Sequence, residues 1–226
     1  MTPAVRKRFI QIGFLVLLQA VILFAASGRL DWSAAWVYLA LYLALIGFNA
    51  ILILPKGTEL IEERAEIREG AKGWDKVIGL LTAIFGPAIL LVAGLDERLG
   101  WPPQISPAAQ IAAFVILALS YGLFSWAMAS NRFFSVVVRI QKERGHTVET
   151  GGPYRFLRHP GYAGMLITYL SIPAALGSVW AYILAACGII ALIVRTALED
   201  RTLLAELEGY QDYARQVRYR LVPGIW

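Results

Sequence analysis

The sequence predicts an all-α integral membrane protein of about six transmembrane helices, with a C-terminal helical hairpin and a long polar cytoplasmic loop ahead of it. Three observations carry that prediction. Of 226 residues, 58% are hydrophobic and only 16% charged, and the mean hydropathy is +0.59, a composition of the membrane class. Apolar runs recur at about residues 9–26, 32–54, 77–95, 108–130, 162–176 and 179–198, against roughly 17–25 residues needed to cross a bilayer. Finally, the N-terminus, residues 55–76, residues 131–161 and everything from Arg195 onward hold 19 of the 21 Lys and Arg residues, leaving Arg29 and Arg98 for the opposite side. This bias puts both termini, the polar loop and the tail in the cytoplasm. The net charge of +5 is then a topological signal and a contact with anionic lipid headgroups, and no nucleic-acid partner is implied.

Taken in order, the first run follows Val5-Arg6-Lys7-Arg8 and leads through Ala25-Ala26-Ser27-Gly28 into another apolar segment, so it reads as an uncleaved first helix and not a signal peptide. Between the second and third runs, Leu60, Ile67, Ala71, Trp74 and Ile78 repeat close to a heptad among many charges. An amphipathic helix on the membrane surface and a solvated charged loop both fit residues 56–76. The fifth run is short, contains Pro173, and joins the sixth through Gly177 and Ser178, the pattern of a tight antiparallel hairpin that need not span fully. Residues 1–130 thus read as a four-helix membrane region and 131–226 as a core made of loop, hairpin and cytoplasmic tail. The single Cys187 and two histidines, His146 and His159, give no disulfide and no metal centre.

Residues 146–162, His-Thr-Val-Glu-Thr-Gly-Gly-Pro-Tyr-Arg-Phe-Leu-Arg-His-Pro-Gly-Tyr, are the polar interruption. Backbone outside helices survives at membrane depth only when it is buried or lines a cavity. Pro153 and Pro160 force their predecessors into extended conformations, and Gly151, Gly152, Gly161 and Gly164 permit close backbone approach, so the loop has a specified shape. The last run ends in Arg195-Thr-Ala-Leu-Glu199-Asp200-Arg201. Ionisable groups in such a position are functional candidates. An i,i+4 pair of Arg195 and Glu199 has the less favourable order for helix stability, which weakens a purely structural reading. Taken singly, His146 also reads as a loop residue, His159-Pro160 as a helix start, and Tyr154 and Tyr162 as interfacial aromatics.

Together, Gly152-Pro153-Tyr154-x-x-x-Arg158-His159-Pro160-x-Tyr162-x-Gly164, Arg195 with Glu199 one turn on, Tyr210-x-x-Tyr213 and Arg218-x-Arg220-x-x-Pro223 resemble the isoprenylcysteine carboxyl methyltransferase family and the related phospholipid methyltransferases. The resemblance covers about residues 131–226. It implies S-adenosyl-L-methionine as methyl donor and a lipidic acceptor drawn from the bilayer, with carboxylate O-methylation favoured over amine N-methylation. By position it implies cofactor contacts at Gln141, His146, Thr147, Val148, Glu149, Tyr154, His159, Pro160, Gly161, Tyr162 and Glu199. It also implies a substrate-side arginine at Arg195, and makes Arg195 and Glu199 the catalytic pair. The chain departs from the eukaryotic enzymes in having Glu199-Asp200 where several glutamates run together, and in fewer spans before the core.

Two other classes stay open on sequence alone. Membrane sterol reductases, which use NADPH, resemble the same C-terminal architecture with a similar His-Pro-x-Tyr element, although the compact loop and the Arg195/Glu199 pair favour the smaller methyl donor. A transporter would be expected to show internal repeats or polar residues in the middle of several spans, and neither is apparent.

Overall fold

The computed structural model describes residues 3–65 and 70–226. Among them the ordered secondary structure is helical: α1 (Pro3–Ser27), α2 (Ser33–Ile53), α3 (Glu59–Ala65), α4 (Gly73–Leu99), α5 (Pro107–Ser130), α6 (Pro160–Ala175), α7 (Ala181–Glu206) and α8 (Tyr210–Gln216), with short 3-10 turns at Leu54–Lys56, Lys142–Arg144 and Gly152–Arg155. Five of these, α1 from Val5, α2, α4, α5 and α7, are long and apolar enough to cross a bilayer. Their outer faces carry side chains such as Phe14, Leu17, Leu80, Leu119 and Ile190, each more than half exposed, as lipid contact requires. The chain is an all-α, multi-pass membrane protein.

The fifth expected span is the exception. Helix α6 has 16 residues, about 24 Å at 1.5 Å per residue, short of the roughly 30 Å hydrocarbon core. It pairs with the 26-residue α7 across a turn in which Gly177 takes φ +82°. Since α6 leads into that turn and α7 leads away, the shorter helix begins level with about residue 199 of its partner. This register brings the polar loop beside Glu199 and Asp200. Helix α7 also runs to Glu206, past the expected end at 198, because its charged residues find partners that keep the helix intact.

The 28–32, 100–106 and 176–180 connections share one end of the bundle. There Arg29 reaches Glu97 (3.1 Å), Ser178 donates to Asp96 (2.6 Å) and the Trp180 indole donates to the Pro102 carbonyl (3.1 Å). Local chemistry sets these helix boundaries: the Ser106 hydroxyl caps α5 by accepting from the Ala109 amide, with Pro107 following, and Gly100 closes α4 in the left-handed conformation. Close packing relies on small residues. At Gly164 on α6 an added Cβ would come within 2.8 Å of the Ser120 carbonyl oxygen on α5, and at Gly94 on α4 within 2.6 Å of Ala26 on α1.

The opposite end holds α3, the 131–159 loop and the tail. Of the segment expected at 56–76, Glu59–Ala65 is helical and α4 begins at Gly73, whereas Glu66, Ile67, Arg68 and Glu69 lie outside the described residues. Helix α3 packs on α1. Its Glu63 turns inward to a bidentate pair with Arg139 (3.0 Å to each oxygen), so this segment is not simply a charged stretch facing water. The tail folds back over the loop: Arg158 and His159 donate their amides to the Tyr219 and Arg220 carbonyls (2.9 and 3.0 Å). The Tyr213 hydroxyl donates to the Tyr154 and Leu157 carbonyls (2.8 and 3.3 Å).

Candidate functional site

Between these two sets of contacts lies a cavity of about 740 Å³, within the size range of small-molecule sites. Its polar part is lined by the 146–162 loop and the last turns of α7. Its apolar part lies among α1, α2 and α4, with Leu15, Leu45, Ile46 and Ala83 in the wall. Gly79 and Gly86 on α4 help leave this space, since an added Cβ at either would meet nothing within 4 Å.

Nearly all the residues expected to bind ligand converge here. His146, Thr147, Val148, Glu149, Tyr154, His159, Gly161, Tyr162, Arg195 and Glu199 line the cavity; Gln141 and Pro160 do not. Gln141 is fully buried and shapes the loop, its amide donating to the Phe133 carbonyl (2.6 Å) and its oxygen accepting from Arg144 (2.5 Å). Pro160 opens α6 at a position that needs no amide donor. His146 accepts at Nδ1 from the Gln141 backbone amide (3.2 Å) and lies 4.4 Å from the Phe133 ring centre. Burial, reinforced by Arg139 and Arg144, pushes its pKa down to about 4, so the imidazole is neutral near pH 7.

Arg195 and Glu199 on α7 have separate partners, and no ion pair joins them. Arg195 forms a bidentate pair with Asp75 (2.7 and 3.2 Å), donates to the Val136 carbonyl (2.9 Å) and lies 5.4 Å from the Tyr162 ring centre. Asp75 is fully buried in the first turn of α4 and also accepts from the Val138 amide (2.7 Å). Glu199 accepts from the Tyr162 hydroxyl (2.5 Å) and has no cationic partner among the described residues. An unneutralised carboxylate facing a cavity is poised for a cationic ligand.

Asp200 points away from that space and organises the loop behind it. Its Oδ1 accepts from His159 Nε2 (3.2 Å) and the Tyr210 hydroxyl (2.9 Å), and its Oδ2 accepts from Arg220 Nε (2.7 Å) and lies 3.2 Å from Arg158 Nη1. Since a carboxylate only accepts, the network assigns the His159 proton to Nε2. Burial and this carboxylate raise the Tyr210 phenol well above its ordinary range. Arg158 Nε, buried at the cavity, has no hydrogen-bond partner among the described residues.

Sequence reasoning missed Asp75, Asp200 and Asn131, which donates to the Tyr154 hydroxyl (3.3 Å). Arg220, which entered the sequence reading only as part of the tail motif and the cytoplasmic charge excess, braces Asp200 with its guanidinium. Only Asp200 carried a local signal, its position beside Glu199 and within a turn of Arg195.

Residues 108–207 match the phospholipid methyltransferase family, a region that holds α5, the loop, α6, α7 and hence most of the polar cavity wall. Two proteins described as probable protein-S-isoprenylcysteine O-methyltransferase, from Oryza sativa subsp. indica and subsp. japonica, are each 48% identical to the chain over 40 residues. That stretch is 18% of this chain and 21% of each relative, so the chain matches about a fifth of their length. The likeness to the phospholipid methyltransferase family is thus confined to residues 108–207, with a local likeness to the isoprenylcysteine O-methyltransferases.

Proposed function

We propose that the protein is an integral membrane methyltransferase that uses S-adenosyl-L-methionine and acts on a lipidic acceptor. The observation that carries this reading is a single cavity with two chemical characters, a polar wall with an unneutralised Glu199 and an apolar part between lipid-exposed helices. The residues at the polar end fit the donor. Glu199, oriented by Tyr162, suits its cationic groups; the unpaired Arg158 Nε suits its carboxylate; Tyr154 offers a ring face, and a cation over such a face gains about 0.5–2 kcal/mol.

Bound there, the cofactor would supply an electrophilic methyl group. The chain's own contribution is positioning and exclusion of water, which can account for roughly 7–11 kcal/mol of a bimolecular barrier. The Asp75 carboxylate fixes the Arg195 guanidinium against Tyr162, holding positive charge where an acceptor carboxylate needs orientation. Such an acceptor is already anionic and requires no base. An amine acceptor must lose a proton, and Glu199 or His159 in the cavity wall would take it.

Transfer of labelled methyl groups from S-adenosyl-L-methionine into a total lipid extract tests the reaction, and thermal stabilisation by S-adenosylhomocysteine but not NADPH separates it from reductase chemistry. Glu199→Gln should raise the S-adenosylhomocysteine dissociation constant at least about tenfold, since a hydrogen bond to a charged group contributes roughly 1.5–3 kcal/mol. Unchanged binding in a detergent titration would remove Glu199 from the cofactor site.

The reading includes an orientation with both termini and the loop end in the cytoplasm, which follows from the distribution of basic residues. Reporter fusions at Arg29, Arg98 and Ser178 should then signal from the non-cytoplasmic side, and fusions at Gly70, His146 and Trp226 from the cytoplasm. A cytoplasmic signal at Ser178 would make the α6–α7 hairpin re-entrant.

A further inference from the structure

Arg64, near the end of α3, is a cation with no counter-ion among the described residues. Its guanidinium carbon lies 5.4 Å from the Phe134 ring centre and 6.0 Å from that of Phe124, and no carboxylate among the described residues pairs with it. The adjacent Glu63 carboxylate is engaged by Arg139 and Ser135. Arg64 is half-buried; desolvation, with Arg8 and Arg195 nearby, lowers its pKa to about 9, and a charge withdrawn from water favours a partner of opposite sign. Arg8, whose Nη1 reaches the Arg64 carbonyl (3.5 Å), joins it in the wall of the cavity.

Both arginines also line a second, more open space of about 660 Å³ between α1 and α3, along with Lys7, Gln11, Phe14 and Leu15. They therefore stand between the cavity and an opening beside lipid-exposed residues of α1. Arg195 already has Asp75 as its counter-ion, so the charge left to compensate beside it is that of Arg64.

We infer that Arg64, with Arg8 beside it, binds the acidic group of an amphiphile whose chain occupies the apolar part of the cavity among α1, α2 and α4. The inference rests on the reading of this cavity as a lipid-acceptor site, and it assigns recognition of the acceptor's charge to a residue outside the polar loop and the α6–α7 hairpin. The ligand chemistry is an anionic oxygen group, as a carboxylate or a phosphate presents it.

Hexadecanoate, hexadecyl phosphate and methyl hexadecanoate, titrated into the full chain in neutral detergent without methyl donor and well above the carboxyl range of pH, provide the test. The wild type should bind at least one of the two anions at least about tenfold more tightly than the ester. Arg64→Gln should bring anion and ester to within about threefold, and Arg64→Lys should keep most of the difference. A stronger response to the phosphate identifies a phospholipid headgroup, and a stronger response to the carboxylate identifies an acid acceptor. Equal binding of anions and ester by the wild type overturns the inference without reliance on any variant folding, as does an undiminished preference in Arg64→Gln. Anion preference without methyl transfer to any lipid would remove the proposed reaction and leave the anion site standing; methyl transfer without anion preference would do the reverse.

Discussion

Asp200→Ala is expected to lower the thermal midpoint in detergent by the largest margin of any single change in the loop, and to abolish S-adenosylhomocysteine binding with it. The Asp200 carboxylate is fully buried and meets His159, Tyr210, Arg158 and Arg220. Its removal leaves two guanidinium groups without a counter-ion, and breaking a buried pair in this way costs about 3–5 kcal/mol. The damage extends beyond the pair. Arg158 and His159 are the residues whose amides hold the tail, and Tyr210 anchors the helix whose Tyr213 braces the Tyr154 and Leu157 carbonyls. Arg220→Gln should cost much less, since that side chain is 30% exposed and the remaining partners still satisfy Asp200. A melting temperature for Asp200→Ala within a degree or two of the wild type would show that the four contacts do not hold the loop in solution.

What was legible beforehand follows from how far each determinant reaches along the chain. The apolar runs at 9–26, 32–54, 77–95 and 108–130 became α1, α2, α4 and α5 with shifts of a few residues, because the bilayer imposes length and hydrophobicity on each helix by itself. The loop was legible through its prolines and glycines: Gly152-Pro153 starts a 3-10 turn and His159-Pro160 starts α6. The far end of α7 was misread. Arg195, Glu199 and Asp200 look like the termination of a span, yet Asp75, Tyr162 and the Asp200 cluster absorb them and the helix continues to Glu206. The partnership of Asp75 with Arg195 joins positions 120 residues apart, and that of Glu63 with Arg139 joins positions 76 apart. No periodicity or motif spacing encodes such pairs, since they arise only when α3, α4 and α7 pack around the loop. The same holds for Gln141, whose buried bonds to Phe133 and Arg144 make it a scaffold for the site, in a place where position along the chain suggested a ligand contact.

The second large effect separates the structural from the chemical role of Arg195. Arg195→Met alone leaves Asp75 buried with only the Val138 amide as donor, and Asp75→Leu alone leaves a guanidinium held by one carbonyl and the Tyr162 ring. Each should cost about 3–5 kcal/mol of stability, whereas the double variant should recover most of that loss, because apolar residues of similar volume often replace a buried ion pair without penalty. Methyl transfer should behave differently. If the Arg195 charge orients the acceptor, the double variant regains its melting temperature and its S-adenosylhomocysteine affinity yet stays inactive. Restoration of both stability and transfer would instead confine Arg195 to a structural role and leave orientation of the acceptor's charge to Arg64. A double variant as unstable as the two single losses combined would mean that Asp75 and Arg195 are not energetically coupled, against the bidentate geometry that joins α4 to α7.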